Sequence, residues 1–505
     1  MSTCKVPLCK NINSATLKLF LLCTQIIFLF SVGRAQKTTL TVDWNSKPVV
    51  SKSIPTLQVV VNPMLRTPSP IHDNTFASLK NLGADYVRFV PWFPYPHMAV
   101  VELKPPTKTE TFWNFKEVDT MVADFMKATD VHSVVMNFST IPVWMFKINK
   151  PVVYPADADQ VFWDYNEGVE LRDSTMKEVA DYFGRLFSWY TQGGFTDELG
   201  KFHTSNHHYT FQYWEVLNEV DFEHNMSPQL YTRIYDAVVL KLRALSPHTK
   251  FIGMALALSS NPAWFEYFLN PANHKKGVIP EGISYHFYGS RDEPNQSIEQ
   301  YQYSFFNKEK NFIDNVRYIE TIRKRLAPHT FTTVNELGSI IDVNANFTDT
   351  SIPRLYWNLS AALYARDYVD LAKLGIDVIG ESQLVGYPTQ FPDVSMMNWV
   401  NAKPNARYWV LKLILDHFGA GDKLVDTRLN SDNVSAQAFI TKKGKCLLLI
   451  NLRNREQSLE LPAEAKDAET ITVDNSSYED PPVQSNLTGS SIVLKPFAVA
   501  VVKIK

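Results

Sequence analysis

Between Leu57 and Leu384 eight short apolar runs alternate with longer stretches of helical periodicity. Such alternation is expected when helices cross over between parallel strands. The runs are LQVVVNP from Leu57, YVRFVP from Tyr86, HSVVMNFS from His132, YWEVLNE from Tyr213, KFIGMALA from Lys250, GISYHFYG from Gly282, TFTTVNELG from Thr330 and IDVIGESQL from Ile376. Between them NTFASLKNLG, STMKEVADYFGRLFSWYTQGG, SPQLYTRIYDAVVLKLRALSP and IPRLYWNLSAALYARDYVDLAKLG read as helices, with Ser227 and Pro228 opening one and Gly375 closing another. Eight such units predict an α/β fold, a closed (β/α)8 TIM barrel. An open doubly wound sheet is the rival, but it usually carries a glycine-rich phosphate loop after its first strand, and VNPMLRTPSP has none.

After NARYWVLKLILDHFG the texture changes to short alternating runs, SAQAFITKK, KCLLLINLR, QSLELPA, ETITVDN, SSIVLKP and FAVAVVKIK, separated by polar and proline-rich turns. This pattern predicts a C-terminal β-sandwich domain. The expected division is a signal peptide over 1–35, the barrel over 36–420 and the sandwich over 421–505, with KTTLTVDW near the N-terminus a candidate strand for the sandwich. A chain of 505 residues, 45% apolar and 13% aromatic, supplies enough core for both.

Lys and Arg number 50 against 52 for Asp and Glu, without runs of like charge. Neither nucleic acid nor an anionic membrane surface is indicated as a partner. At the N-terminus Lys5, Lys10 and Lys18 precede the apolar stretch Leu19 to Phe30 and then Gly33-Arg34-Ala35, the layout of a cleavable leader. The stretch falls short of the ~20 residues a spanning helix needs, so an uncleaved anchor is the lesser reading and a secreted or endomembrane-lumen protein is expected. Cys4, Cys9 and Cys23 fall in or before the leader, leaving Cys446 alone and no internal disulfide possible. Eight Asn-X-Ser/Thr sites, at Asn137, Asn225, Asn295, Asn346, Asn358, Asn433, Asn475 and Asn486, fit that route.

In a β/α barrel the reactive groups gather where the strands end. The ends hold Arg88 on strand two, Asn137 on three, Asn218 and Glu219 on four, His286 and Tyr288 on six, Glu336 on seven, and Glu381 and Gln383 on eight. Two carboxylates facing each other across a sugar-sized gap suit glycosidic cleavage, because one must stay protonated for the leaving oxygen while the other stays ionised for the oxocarbenium-like carbon. No cofactor or metal is called for.

An Asn-Glu ending strand four, a His-X-Tyr ending strand six, a Glu ending strand seven and an Arg on strand two resemble the clan A glycoside hydrolases. Order, spacing and the YWEVLNEVD context are most similar to glycoside hydrolase family 39, whose activities include β-xylosidase and α-L-iduronidase. The resemblance spans about residues 40 to 420. It implies a retaining double displacement with Glu219 as general acid/base and Glu336 as nucleophile. It further implies that Asn218 binds the sugar 2-hydroxyl, that Tyr288 and Arg88 hold Glu336 ionised, and that His286 lines the floor. The aromatics Trp92, Phe93, Tyr95, Trp144, Tyr387 and Trp399 are candidates for stacking on a sugar ring, Trp144 foremost.

Where the family usually shows Trp before the strand-four Asn and Pro after its Glu, this chain has Leu217 and Val220, which weakens assignment to one named activity. Glu215 is expected to pair with a cation inside the barrel, and Glu381 is the alternative nucleophile. Uronic acid recognition would require cations at the mouth, for which Arg291, Lys147 and Lys150 are candidates; a β-xyloside is the favoured substrate. A carbohydrate-binding barrel without turnover is the rival from another class. A metal-dependent hydrolase would normally show His-X-His near strand one, and Leu57 to Pro63 contains no histidine. The pair His207 and His208 reads as surface loop.

Overall fold

A computed structural model describes residues 38–163, 168–341, 352–388 and 390–504. The expected leader over 1–35, with its three cysteines, and the site at Asn346 lie outside the described residues. Among the described residues no helix is long and apolar enough to cross a membrane.

Eight parallel strands close into a barrel. They are Ile54–Val60, Val87–Val90, Val134–Met136, Tyr213–Glu215, Lys250–Leu256, Gly282–Ser290, Phe331–Ile340 and Val378–Glu381, and the eighth pairs with the first at Glu381 and Leu57. The predicted helices form between them, among them His72–Leu82, Lys177–Thr191, Pro228–Leu245 and Arg354–Leu374. Ser227 Oγ accepts from Leu230 N at 3.2 Å, and Gly375 ends its helix at φ 80°, a conformation that carries little strain only for glycine.

Alternation along each strand sorts the side chains. Leu57, Val59, Val87, Phe89, Trp214 and Ile379 belong to the main core beneath the helices, and burying each large apolar side chain contributes about 1.5–3 kcal/mol. On the other face, Val135, Tyr213 and Ile252 pack with Tyr86 and Phe331 into a separate apolar floor inside the barrel. Two residues further along the same strands, on the same face by the period of two, come Arg88, Asn137 and Glu215, each fully buried. The barrel interior therefore changes from apolar to charged in one step of the pleat, and the next step reaches the mouth.

The C-terminal domain is a ten-stranded sheet that includes Thr38–Asp43, which pairs antiparallel with Lys423–Leu429 and parallel with Gln457–Glu460. Within Gly444–Asn451, Cys446, Leu448 and Ile450 join the barrel's core while Leu447 and Leu449 join a second core with Leu40, Leu459 and Leu494. One face of the sheet thus lies on the barrel and the other is covered by the sheet's own flank, so this strand is apolar from Cys446 through Ile450 without alternation. Cys446 is buried.

Candidate active site

The fourth strand ends at Glu215, four residues before Glu219, and not at Glu219 as its apolar run suggests. The chain nevertheless stays tied to strand five, with Val216 N donating to Ile252 O at 3.1 Å and Glu219 N to Ala255 O at 2.8 Å. Leu217 and Glu219 adopt φ of 64° and 39°, conformations that cost non-glycine residues on the order of 1–3 kcal/mol each and persist where surroundings enforce them. The turn brings the Glu219 carboxylate to His286, Oε1 lying 2.8 Å from Nδ1.

Glu336 lies within strand seven. Register irregularities between Ser284 and His286 and between Val334 and Leu337 let the adjacent residues Asn335 and Glu336 both reach the interior. Asn335 Nδ2 donates to Glu215 Oε1 at 2.8 Å. Glu336 Oε2 accepts from Arg88 Nη1 at 2.8 Å, and Oε1 from the Tyr288 hydroxyl at 2.7 Å. Tyr288 has one hydroxyl hydrogen and gives it to the carboxylate, so toward Ser382 Oγ, 2.7 Å away, it accepts; Gln58 Nε2 donates to Ser382 Oγ at 2.5 Å. His286 Nδ1 is 3.5 Å from Glu336 Oε2.

Arg88 ties the layers together. Nε donates to Glu215 Oε2 at 2.5 Å, Nη1 to Gln58 Oε1 at 2.6 Å as well as to Glu336, and Nη2 to Asn218 Oδ1 at 2.6 Å. Glu215, fully buried, also accepts from Asn137 Nδ2 and Ser284 Oγ, each at 2.5 Å. A buried ion pair is tolerable when its remaining lone pairs are satisfied in this way.

The two carboxyls are driven apart in acidity. Burial pushes Glu219 above the ordinary carboxylate range, with repulsion from Glu336 adding to it. Burial also acts on Glu336, but the charges of His286 and Arg88 and the hydrogen bond from Tyr288 outweigh it and hold that carboxyl below its usual value. For His286, burial disfavours the charged ring, yet the two carboxylates prevail and raise its pKa. One oxygen of Glu219, one of Glu336 and one nitrogen of His286 lie within 4.8 Å of one another. A cation could use the same atoms, but Arg88 already sits on Glu336 Oε2 and its positive charge opposes a metal ion there.

The other candidates lie elsewhere or do other work. Trp144 is buried, donates Nε1–H to Glu102 O at 2.8 Å and carries the Arg172 guanidinium 4.5 Å over one face of its ring. Glu381 is buried against Arg407 at 2.9 Å. Tyr95 is buried, Lys147 is paired with Glu170, and His207 faces Asp119 at 3.7 Å. Trp92 instead joins a half-exposed aromatic group with Phe93, Trp163 and Phe391. Sequence reasoning passed over Gln58, Ser284, Ser382 and Glu223. Gln58 was detectable as a lone polar residue in the run LQVVV, whereas the others lack a local signal.

No curated protein sequence matches the chain. A family model for the C-terminal immunoglobulin-like domain of D-apionate lactonase matches residues 431–502. Similar solved structures include the GH51 arabinofuranosidase from Xanthomonas axonopodis pv. citri, 13% identical, with TM-score 0.62 over 93% of this chain and 99% of that one. An α-L-arabinofuranosidase from Thermotoga maritima, 13% identical, has TM-score 0.59 over 92% and 99%. A GH30 endoxylanase from Clostridium papyrosolvens, 13% identical, has TM-score 0.54 over 92% and 100%. The likeness covers barrel and sheet together, and shows the fold that this chain shares with these structures.

Proposed function

We propose that the protein is a retaining glycoside hydrolase acting on a neutral sugar, with an aryl β-xyloside as its first test substrate and an arabinofuranoside as the second. The observation that carries this reading is the approach of Glu219 and Glu336 to within 4.8 Å at their nearest ligand atoms. That distance suits a carboxyl separation near 5–5.5 Å and falls well short of the 6.5–9.5 Å that an inverting mechanism needs for an intervening water. The family 39 resemblance supports the same pair on motif order, while the similar solved structures come from families 51 and 30.

In the proposed mechanism Glu336, kept ionised by Arg88 and Tyr288, attacks the anomeric carbon. Glu219, kept protonated by burial, gives its proton to the leaving oxygen. Cleavage of the glycosyl ester by water then needs Glu219 as base, which is the role its ionised form can fill once the proton has left. His286, hydrogen-bonded to Glu219 and near Glu336, moderates the change of charge between the two steps.

A neutral substrate is favoured over a uronide because Arg88, the guanidinium that bonds Glu336, is fully buried and engaged by four side chains, and the candidate Lys147 is paired with Glu170. The segments 164–167 and 342–351 contain no Lys or Arg. The test is a screen of aryl glycosides with NMR of the first-formed anomer. Turnover with retention, insensitive to EDTA, is expected; inversion, or no turnover of any aryl glycoside, overturns the reading.

Export is proposed as well, on the strength of the leader. Asn225, Asn295, Asn475 and Asn486 are exposed, whereas Asn137 and Asn358 are buried. Glycopeptide mass spectrometry should find sugar among the first group and none on the buried two.

A further inference from the structure

Asn218 has two amide ends, and its surroundings fix which faces which way. Arg88 can only donate, so the atom 2.6 Å from its Nη2 is the amide oxygen. The Glu223 carboxylate can only accept, so the atom 2.9 Å from its Oε1 is the amide nitrogen. The two constraints are independent and agree. Glu223 Oε1 is itself held by Trp92 Nε1–H at 2.7 Å. Asn218 therefore offers a ligand an N–H and never a carbonyl, and beside that donor stands a carboxylate.

From this arrangement we propose that Glu223 is a specificity-determining residue that accepts the hydrogen of the sugar 2-hydroxyl while Asn218 donates to its oxygen. The proposal rests on the glycosidase reading above. Its geometric basis is that Glu336 and Asn218 hang on the two terminal nitrogens of one guanidinium. With the anomeric carbon at Glu336, the substituent on the adjacent carbon falls toward Asn218. A hydroxyl both accepts and donates, and so satisfies the pair. A 2-ammonium group has no lone pair for the amide, and a 2-deoxy carbon satisfies neither. The chemical class selected is a glycoside with a free 2-hydroxyl. Because hydrogen bonds to that hydroxyl strengthen as the oxocarbenium-like state forms, the effect falls on kcat/KM through the transition state.

The test compares Glu223→Gln with wild type on 2,4-dinitrophenyl β-D-xylopyranoside and its 2-deoxy counterpart, or on the corresponding pair for whichever aryl glycoside the wild type turns over best. Wild type should favour the 2-hydroxy substrate by at least about a hundredfold, since several kcal/mol attach to this contact. In Glu223→Gln that preference should shrink by about tenfold or more, the charged acceptor being replaced by a neutral one. Trp92→Phe, which removes one donor to Glu223, is the second variant should the first fail to fold, and its preference should shift by about threefold. An equal loss on both substrates, or a preference within twofold of wild type in both variants, overturns the assignment while leaving the glycosidase reading intact. A wild type inactive on every aryl glycoside overturns both.

Discussion

Glu102 offers the most direct check on the electrostatics of the interior. Its side chain is buried in the loop after strand two; among the described residues Oε2 has no hydrogen-bond partner, and Oε1 accepts from the Phe112 N–H at 3.4 Å. Burial, reinforced by the charge of Glu198, raises its pKa to about 8. Below the ordinary carboxylate pKa of 4.5 the group is protonated in folded and unfolded chains alike. As pH rises from there to about 8 only the unfolded chain releases the proton, so stability is lost across that window and stays constant above it. The difference between 4.5 and about 8 corresponds to about 5 kcal/mol at 1.36 kcal/mol per pH unit, and relaxation of the loop around the ion lowers this to roughly 2–5 kcal/mol.

Glu102→Gln keeps the shape and removes the titration. Its buried amide lacks a partner for its donors, which costs about 1–3 kcal/mol at every pH. The informative quantity is therefore the change with pH in the melting-temperature gap between variant and parent, measured by circular dichroism at pH 4 and pH 9. At about 1–2 °C per kcal/mol for a chain of this size, the gap should move in favour of the variant by roughly 3–8 °C. A gap that stays constant within about 1 °C would refute the reasoning, because Glu102 would then titrate equally in both states.

Glu219→Gln should lose turnover of glycosides with poor leaving groups while keeping partial action on activated aryl glycosides, since only the former require protonation; complete and equal loss on both would remove Glu219 from the acid role. Glu336→Gln should abolish turnover with an unchanged circular dichroism spectrum, and activity within twofold of the parent would disprove its role as nucleophile. The kcat/KM profile should be bell-shaped: Glu336, lowered, must lose its proton and sets the acid limb, while Glu219, raised, must keep its proton and sets the alkaline limb. Gly338→Ala would place a methyl 3.0 Å from Tyr288 Cε1, so the hydroxyl should be pushed off Glu336. Its acid limb should then move to higher pH by about half a unit to one unit as that carboxylate loses a donor, and an unmoved limb would show that Tyr288 does not tune it.

The barrel was legible because its strands are buried on both faces, so runs such as LQVVVNP and KFIGMALA stand out without needing strict alternation. Thr38–Asp43 and the strand Val434–Thr441 were legible by period. Val483–Asn486, exposed at all four positions, was not, since a strand on a sheet edge with no core to face leaves no pattern. In the candidate site the two acids that the fold brings together were legible because Glu219 and Glu336 each follow an apolar run. What the sequence could not show is that strand four stops at Glu215 and that a strained turn carries Glu219 the rest of the way. Nor could it show that the two Asn-Glu pairs differ: Asn218 stands beside its acid, whereas Asn335 turns down onto Glu215. Trp144 failed for a simpler reason, since an aromatic after a strand looks the same whether a sugar or an arginine covers it.

The asymmetry between the two carboxyls traces to burial, which raises both, and to His286, Arg88 and Tyr288, which together lower Glu336. Arg88 touches Glu336 but not Glu219, and it is held beneath them by Glu215, which the floor of Val135, Tyr213 and Ile252 keeps dry. Were the guanidinium shared between both acids, both would be ionised and neither could protonate a leaving group. Were it absent, two buried carboxyls this close would share one proton. Burial and the nearby charge of Glu336 push Glu219 upward, while His286 and Arg88 hold Glu336 down, so the interior moves the two acids in opposite directions. The polar layer is thus more than a support: the step along the pleat from Tyr86 to Arg88 and from Tyr213 to Glu215 places beneath the mouth a cation that bonds Glu336 and not Glu219.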